Sequence, residues 1–259
     1  MKRFLFFRLN YFLALSRTPH ALLDLAGPGL AALLCLGTFP SPTIILIGFI
    51  TAFSGYTAVY ALNDIVDYRV DRKVCRRQTL ERIPPDLDSL FVCHPLAQGL
   101  ISFQAALTWC IFWSALAVIG AWWLNPFCLA IFILAALLET IYCALLKITW
   151  LRSIVSGFVK TSGPVAAVFA VNPNPPLTFV FLLFLWFFFW EIGGQNVPND
   201  LTDMETDRDL QAKTIPVRFG TRTSIWIILL SLVFAYVLSF ALLTAISVKF
   251  NWLYPIGAG

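Results

Sequence analysis

The sequence predicts an all-α fold, a polytopic bundle of transmembrane helices. Three observations carry that prediction. Hydrophobic residues make up 59% of the chain and charged residues only 12%, about half the charged share of a soluble domain. The apolar residues gather into stretches of about 20, the length that crosses a bilayer as a helix. Basic residues concentrate in alternate loops instead of spreading along the chain.

The first element is residues 1–15, an apolar run behind Lys2 and Arg3. Arg8 interrupts it and no small-residue cleavage site follows. It reads as a short amphipathic segment on the membrane surface rather than a signal peptide. Spans follow at 21–39, 43–62, 97–121, 126–146, 153–171, 176–196 and 223–246. Pro40-Ser41-Pro42, Asn125-Pro126 and the Asn/Pro run at 172–176 separate them where helices must end. Residues 250–259 look like the start of a further span.

Loop charge sets the expected topology. The N-terminus carries Lys2, Arg3, Arg8 and Arg17. The second loop has Arg69, Arg72, Lys73, Arg76, Arg77 and Arg82, the fourth Lys147 and Arg152, and the sixth Arg208, Lys213, Arg218 and Arg222. The first, third and fifth loops have neither Lys nor Arg. The positive-inside rule therefore puts the N-terminus and the even loops in the cytoplasm. Trp122 and Trp123 suit the aromatic belt of the opposite interface.

Cys35, Cys110, Cys128 and Cys143 fall in apolar spans, where a free thiol acts as a small hydrophobe. Cys75 and Cys93 share a polar loop without metal-like spacing, so no disulfide or zinc site is expected. The net charge of +4 comes from the basic loops. With no basic stripe interleaved with aromatics, nucleic acid is not an expected partner.

The acids are the unusual feature. Asn63-Asp64-x-x-Asp67-x-x-x-Asp71 recurs as Asn199-Asp200-x-x-Asp203-x-x-x-Asp207, and each copy ends at a basic residue, Arg72 and Arg208. Both copies end even-numbered spans and so share the expected cytoplasmic side, which suggests two related halves about a shared cavity. Acids at i, i+3 and i+7 lie on one face of an α-helix. Six ionised Asp at a bilayer centre would cost on the order of 15–20 kcal/mol. They must therefore sit near the interface, be hydrated or be neutralised. Clustered hard oxygen ligands suit Mg²⁺, which often takes substrate phosphates as its remaining ligands. The flanking Arg72, Lys73, Arg76, Arg208 and Lys213 turn a bare metal site into a metal–diphosphate site, built to stabilise a departing diphosphate. A membrane cation transporter or channel is the alternative, but it would need acids spread through the membrane depth. A lipid headgroup transferase is a third class, and its Asp and Gly spacings are not found.

On these residues the chain resembles the UbiA superfamily of intramembrane prenyltransferases. The paired Asn-Asp motifs carry the resemblance. So do Lys213-Thr214-Ile215-Pro216-Val217-Arg218-Phe219-Gly220, the stretch Tyr142 to Lys147 followed by Arg152, and Arg17-Thr18-Pro19-His20. It covers nearly the whole chain, 1–259, as one domain. The resemblance implies about nine spans around a central cavity, so the last spans would be missing or truncated here. It implies Mg²⁺-dependent transfer of a polyprenyl group from polyprenyl diphosphate to an acceptor, aromatic or lipid-like, with release of diphosphate. By position, Asn63, Asp64, Asp67, Asp71, Asn199, Asp200, Asp203 and Asp207 would handle metal and diphosphate. Arg72, Lys147 and Lys213 would contact diphosphate, Arg17 would place the acceptor, and Tyr142 and Arg208 would line the substrate site. The family often has Asn-Arg-Pro-Leu-Pro-Ser-Gly after its first motif. The nearest run here is His94-Pro95-Leu96-Ala97-Gln98-Gly99, with His94 where the arginine stands.

Other polar residues have plainer readings. Lys147 and Arg152 also serve as positive-inside residues, and Lys160 can snorkel. Glu139 and Glu191 face either the cavity or a neighbouring helix. His20 and His94 read as hydrogen-bonded loop residues, and residues 186–190 as packing or lipid-facing surface.

Overall fold

The computed structural model describes residues 2–78, 92 and 94–245. The expected span start at 250–259, Arg82 and Cys93 lie outside the described residues, as do the side chains of Lys2, Arg3, Arg8, Lys73, Arg76 and Arg77. The helices are α1 (Lys2–Leu15), α2 (Thr18–Asp24), α3 (Ala26–Leu36), α4 (Pro42–Val66), α5 (Tyr68–Gln78) and α6 (Phe103–Leu124). They continue with α7 (Pro126–Ala144), α8 (Arg152–Val171), α9 (Leu177–Trp190), α10 (Val197–Thr202), α11 (Met204–Asp209) and α12 (Ile215–Ala245). Among the described residues, seven helical stretches are long and apolar enough to cross a membrane: Thr18–Leu36, Pro42–Val66, Phe103–Leu124, Pro126–Lys147, Arg152–Val171, Leu177–Thr202 and Ile215–Leu243.

The packing is that of a membrane protein. Buried positions in the spans are small or weakly polar, among them Ser54, Thr57, Ala58, Ala61, Ala106, Ala117, Ala135 and Thr161. Small side chains let helix backbones approach closely where lipid gives no hydrophobic drive. Large apolar side chains point outward instead, such as Ile111, Phe112, Ile119, Ile133, Leu134, Leu137, Val233 and Phe234.

Local chemistry sets the helix ends. Asn125 caps α7 by accepting from the Phe127 N–H at 2.9 Å, and Pro126 follows at the first turn. The third span begins later than hydropathy predicts. Residues 94–102 are turns, with Gly99 at φ 76, and Ser102 accepts from the Ala105 N–H at 3.2 Å just before α6. The first span likewise ends at Leu36, where Gly37 takes φ 68.

The chain forms two compact units. One comprises residues 1–26 and 49–120, the other 27–48 and 121–259. The first unit's core joins Leu15, Ala61, Leu96, Ile101, Ala106 and Cys110, with Tyr11, Phe12, Tyr68 and Trp109 packed on it. The end of α1 is thus part of a core and does more than lie on a surface. In the second unit, Ala31, Leu34, Val168, Phe179, Leu183 and Leu242 form one cluster, and Ile192, Val197 and Ile215 another. There α8 packs against α7 and α9, and α12 against α9. Two bare glycines permit close approach. A Cβ on Gly157 would come within 2.4 Å of the Phe188 ring, and one on Gly193 within 2.9 Å of the Ile228 carbonyl.

Candidate active site

The two acidic motifs fold alike, one in each unit. α4 ends at Val66 and α5 starts at Tyr68, so the helix breaks at Asp67. α10 ends at Thr202 and α11 starts at Met204, so the second copy breaks at Asp203. Asp203 has φ −92 and ψ 8, the bridge region between helix and strand. The expectation of one unbroken helix per motif is therefore corrected. Asp favours helix starts over helix interiors because its side chain competes for backbone donors. The register nonetheless survives each break. The Asp67 N–H donates to Asn63 O at 2.9 Å and the Asp71 N–H to Asp67 O at 3.0 Å. The Asp203 N–H donates to Asn199 O at 3.0 Å and the Asp207 N–H to Asp203 O at 2.9 Å.

In both motifs the leading acid is buried and has a cation beside it. Asp64 is 3% exposed. Its Oδ1 lies 3.5 Å from Arg17 and 3.4 Å from His94 Nδ1. His94 Nδ1 also lies 3.2 Å from Asp71 Oδ2, without a well-aligned hydrogen bond to either acid. Burial alone pushes the His94 imidazole down. The carboxylates of Asp64 and Asp71 outweigh it and hold the group at about 10, a cation at neutral pH. Arg17 sits at φ 42 before α2, with its guanidinium 5.9 Å from the centre of the Tyr60 ring. Tyr60 in turn donates to Asp24 at 2.6 Å.

In the second unit Asp200 is 8% exposed, and its Oδ1 lies 3.7 Å from Arg152. Arg152 is itself 7% exposed and stacks on Tyr142, 4.0 Å from the ring centre. Asn196 donates to the Tyr142 hydroxyl at 3.4 Å. Asp207 Oδ2 accepts from the buried Thr214 hydroxyl at 3.0 Å. Burial raises the Asp207 carboxyl above its ordinary value, against the lowering effects of Thr214 and of the Arg152 charge. One turn deeper, Ser156 donates to Glu191 at 2.7 Å, both buried. Glu191 opens a π-helical turn, Glu191–Asn196, that leads into α10.

The remaining expected residues are placed as follows. Asn63 and Asp67 are half-buried, while Asn199 and Asp203 are exposed. Arg72 is exposed and donates to its own helix neighbour Tyr68 at 3.1 Å. Arg208 is exposed beside Met204, 3.7 Å from its sulfur. Lys147 and Lys213 are exposed, and the Lys213 N–H donates to Leu146 O at 2.8 Å, which brings the two lysines together. The structure thus unites Arg17, Asp64 and Asp71 in one unit, and Tyr142 and Asp200 in the other. It adds His94, which sequence reasoning took for a loop residue, and Arg152, which it took for a topology signal. The arginine of the related run, standing where His94 does, was the available signal for the first. For Arg152 the signal was its place after Tyr142 to Lys147, in the stretch that carries the resemblance.

The donor set suits a hard divalent cation. Asp64 and Asp71 bring carboxylate oxygens together with His94 Nδ1, all within 4.8 Å of one another; as a cation His94 counters the two acids, and it ligates only on giving up its proton. In the second unit Asp200 Oδ2 and Asn196 Oδ1 are buried oxygens without a hydrogen-bond partner among the described residues. Carboxylate and amide oxygens are Mg²⁺ ligands, and basic side chains stand beside both sets for an anion.

Comparison with known proteins agrees with this chemistry. Digeranylgeranylglyceryl phosphate synthase of Thermococcus kodakarensis is 24% identical over 230 residues, covering 88% of this chain and 76% of its own. A UbiA homologue from Archaeoglobus fulgidus bound to GPP and Mg²⁺ superposes with a TM-score of 0.73 at 18% identity, over 96% of this chain and 82% of that one. The apo UbiA homologue from Aeropyrum pernix gives 0.70 at 19% identity, over 90% and 81%. The UbiA prenyltransferase family model matches residues 25–259. With paired acidic motifs, resident cations and an all-helical membrane fold already in place, that match decides between prenyl transfer and cation transport: the chain belongs to the UbiA prenyltransferase family, as an intramembrane enzyme.

Proposed function

We propose that this prenyltransferase takes a polyprenyl diphosphate as donor, with Asp64, Asp67, Asp71, Asp200, Asp203 and Asp207 as the metal-ligating acids. The observation that carries the reading is the repeated arrangement of Asp64 and Asp200, each buried in an apolar span beside a cation from another segment. Bound Mg²⁺ supplies positive charge to the departing diphosphate. The chain's own groups do the rest. The acids hold the metal, with Asn63 and Asn199 beside them as amide ligands. Arg72, Lys147, Arg208 and Lys213 neutralise outer diphosphate oxygens from exposed positions. Arg17 and Tyr142 line the substrate side.

The acceptor is an aromatic quinone precursor or a lipid-like molecule, and the name of the Thermococcus relative supports the lipid-like class. The N-terminus and both acidic motifs face the cytoplasm, a placement supported by the Lys and Arg of the even loops. Membranes given labelled polyprenyl diphosphates and a panel of acceptors, read by product mass, test the reading. Asp64→Ala and Asp200→Ala should each abolish turnover in protein that still folds, and EDTA should stop the wild type. Full activity in both variants, or indifference to EDTA, would sink it.

A further inference from the structure

Arg152 has an unusual position. It opens α8, a membrane-spanning helix, at 7% exposure. Burying an arginine in a span is costly unless it is partnered, and such residues are functional by default. Its partners here are specific. The guanidinium lies over the ring of Tyr142 of α7, its Cζ 4.0 Å from the ring centre, with Nη1 3.7 Å from Asp200 Oδ1. Asn196, one turn before Asp200, donates to the Tyr142 hydroxyl. α7, α8 and α10 are thus tied at one point. The tie is one-sided: Asp200 Oδ1 faces the arginine, while Oδ2 and Asn196 Oδ1 are buried with no hydrogen-bond partner among the described residues.

From this geometry we propose that Arg152 is a positioning residue for the second acidic motif. It fixes the Asp200 carboxylate so that one oxygen is held and the other is presented as a metal ligand. Arg17 stands in the same relation to Asp64 in the first unit, so each leading acid has its own internal counter-ion. Tyr142 acts through Arg152, as the ring face that holds the guanidinium in place. A lysine would keep the charge but lose the stack and the fork. The inference rests on the reading of Asp200 as a metal ligand.

The test uses the full chain in detergent, with Mn²⁺ as probe and free Mn²⁺ read by EPR. An Asp64→Ala background leaves the second motif's ion to be counted. Loss of groups that orient metal ligands typically weakens metal binding about 10- to 100-fold, and Arg152→Gln should raise the Mn²⁺ dissociation constant by that factor. Arg152→Lys should fall between Gln and wild type. Thermal unfolding gives the folded fraction, and affinity is taken per folded molecule. Wild-type affinity per folded molecule in Arg152→Gln overturns the proposal. So does a loss that only tracks unfolding in both variants. Asp200→Asn separates this inference from the reading beneath it. If Asp200→Asn weakens Mn²⁺ binding and Arg152→Gln does not, only the positioning role fails. If Asp200→Asn also binds normally, Asp200 is no ligand and both fail.

Discussion

Replacing Thr214 by Val tests the second motif with almost no change of shape. Thr214 is fully buried, so an isosteric swap is required. Its hydroxyl donates to Asp207 Oδ2 at 3.0 Å, and Asp207 is only 9% exposed. A hydrogen bond to a charged group is worth about 1.5–3 kcal/mol, or roughly 10- to 150-fold in an equilibrium constant. The sign follows from what already acts on Asp207. Burial raises its carboxyl, and Thr214 and the Arg152 charge lower it. Removing Thr214's hydroxyl raises it further, and a protonated acid cannot ligate a cation. The Mg²⁺ concentration for half-maximal prenyl transfer should therefore rise, by up to about 10- to 150-fold where the acid is protonated. The defect should be largest at the acidic end of the assay range and shrink as pH rises, because a carboxyl raised by burial ionises more fully there. The assay is initial rate against Mg²⁺ at each pH, beside a thermal melt to show folding. A wild-type Mg²⁺ dependence at every pH, in folded protein, would refute the argument.

Two further outcomes are expected. Gly193→Ala should destabilise the second unit by about 1–3 kcal/mol, because the new Cβ meets the Ile228 carbonyl at 2.9 Å and backbone cannot rotate away; an unchanged melt counts against it. Ser156→Ala should cost about 1.5–3 kcal/mol by removing a 2.7 Å donor from buried Glu191, and Glu191→Gln should cost less, so an equal loss in both is the contrary result in thermal unfolding.

Hydropathy found all seven spans because it averages over some twenty side chains, and no single residue can spoil the sum. Boundaries were less legible. The start of α6 at Phe103 depends on Gly99 and Ser102, two local effects beneath that average. The acidic motifs were legible because the repeat lies in neighbouring residues. Their break at Asp67 and Asp203 was not, since i→i−4 bonding continues through it and leaves the spacing intact. The contact of His94 with Asp64 and Asp71 links segments separated by residues 72–93, and only the folded path brings them together. Arg152 was hidden for another reason. It stood in the stretch that carries the resemblance, but the loop charge rule accounted for it equally well, and nothing in the spacing tied it to Asp200.

The π-helical turn at Glu191–Asn196 changes what the membrane-facing side of α9 demands of the motif behind it. Bonding i→i+5 fits one more residue into the turn than an α-helix would. Each residue is about 100° of rotation in an α-helix, so everything downstream is turned by that much relative to the apolar side chains upstream. Asp200 therefore owes its direction to a one-residue phase offset. Lipid contact along α9 and ligand direction in α10 can drift separately under selection, provided the offset stays. Straightening 191–196 into an α-helix without removing a residue would swing the acids away from Arg152 while leaving every acid in the chain.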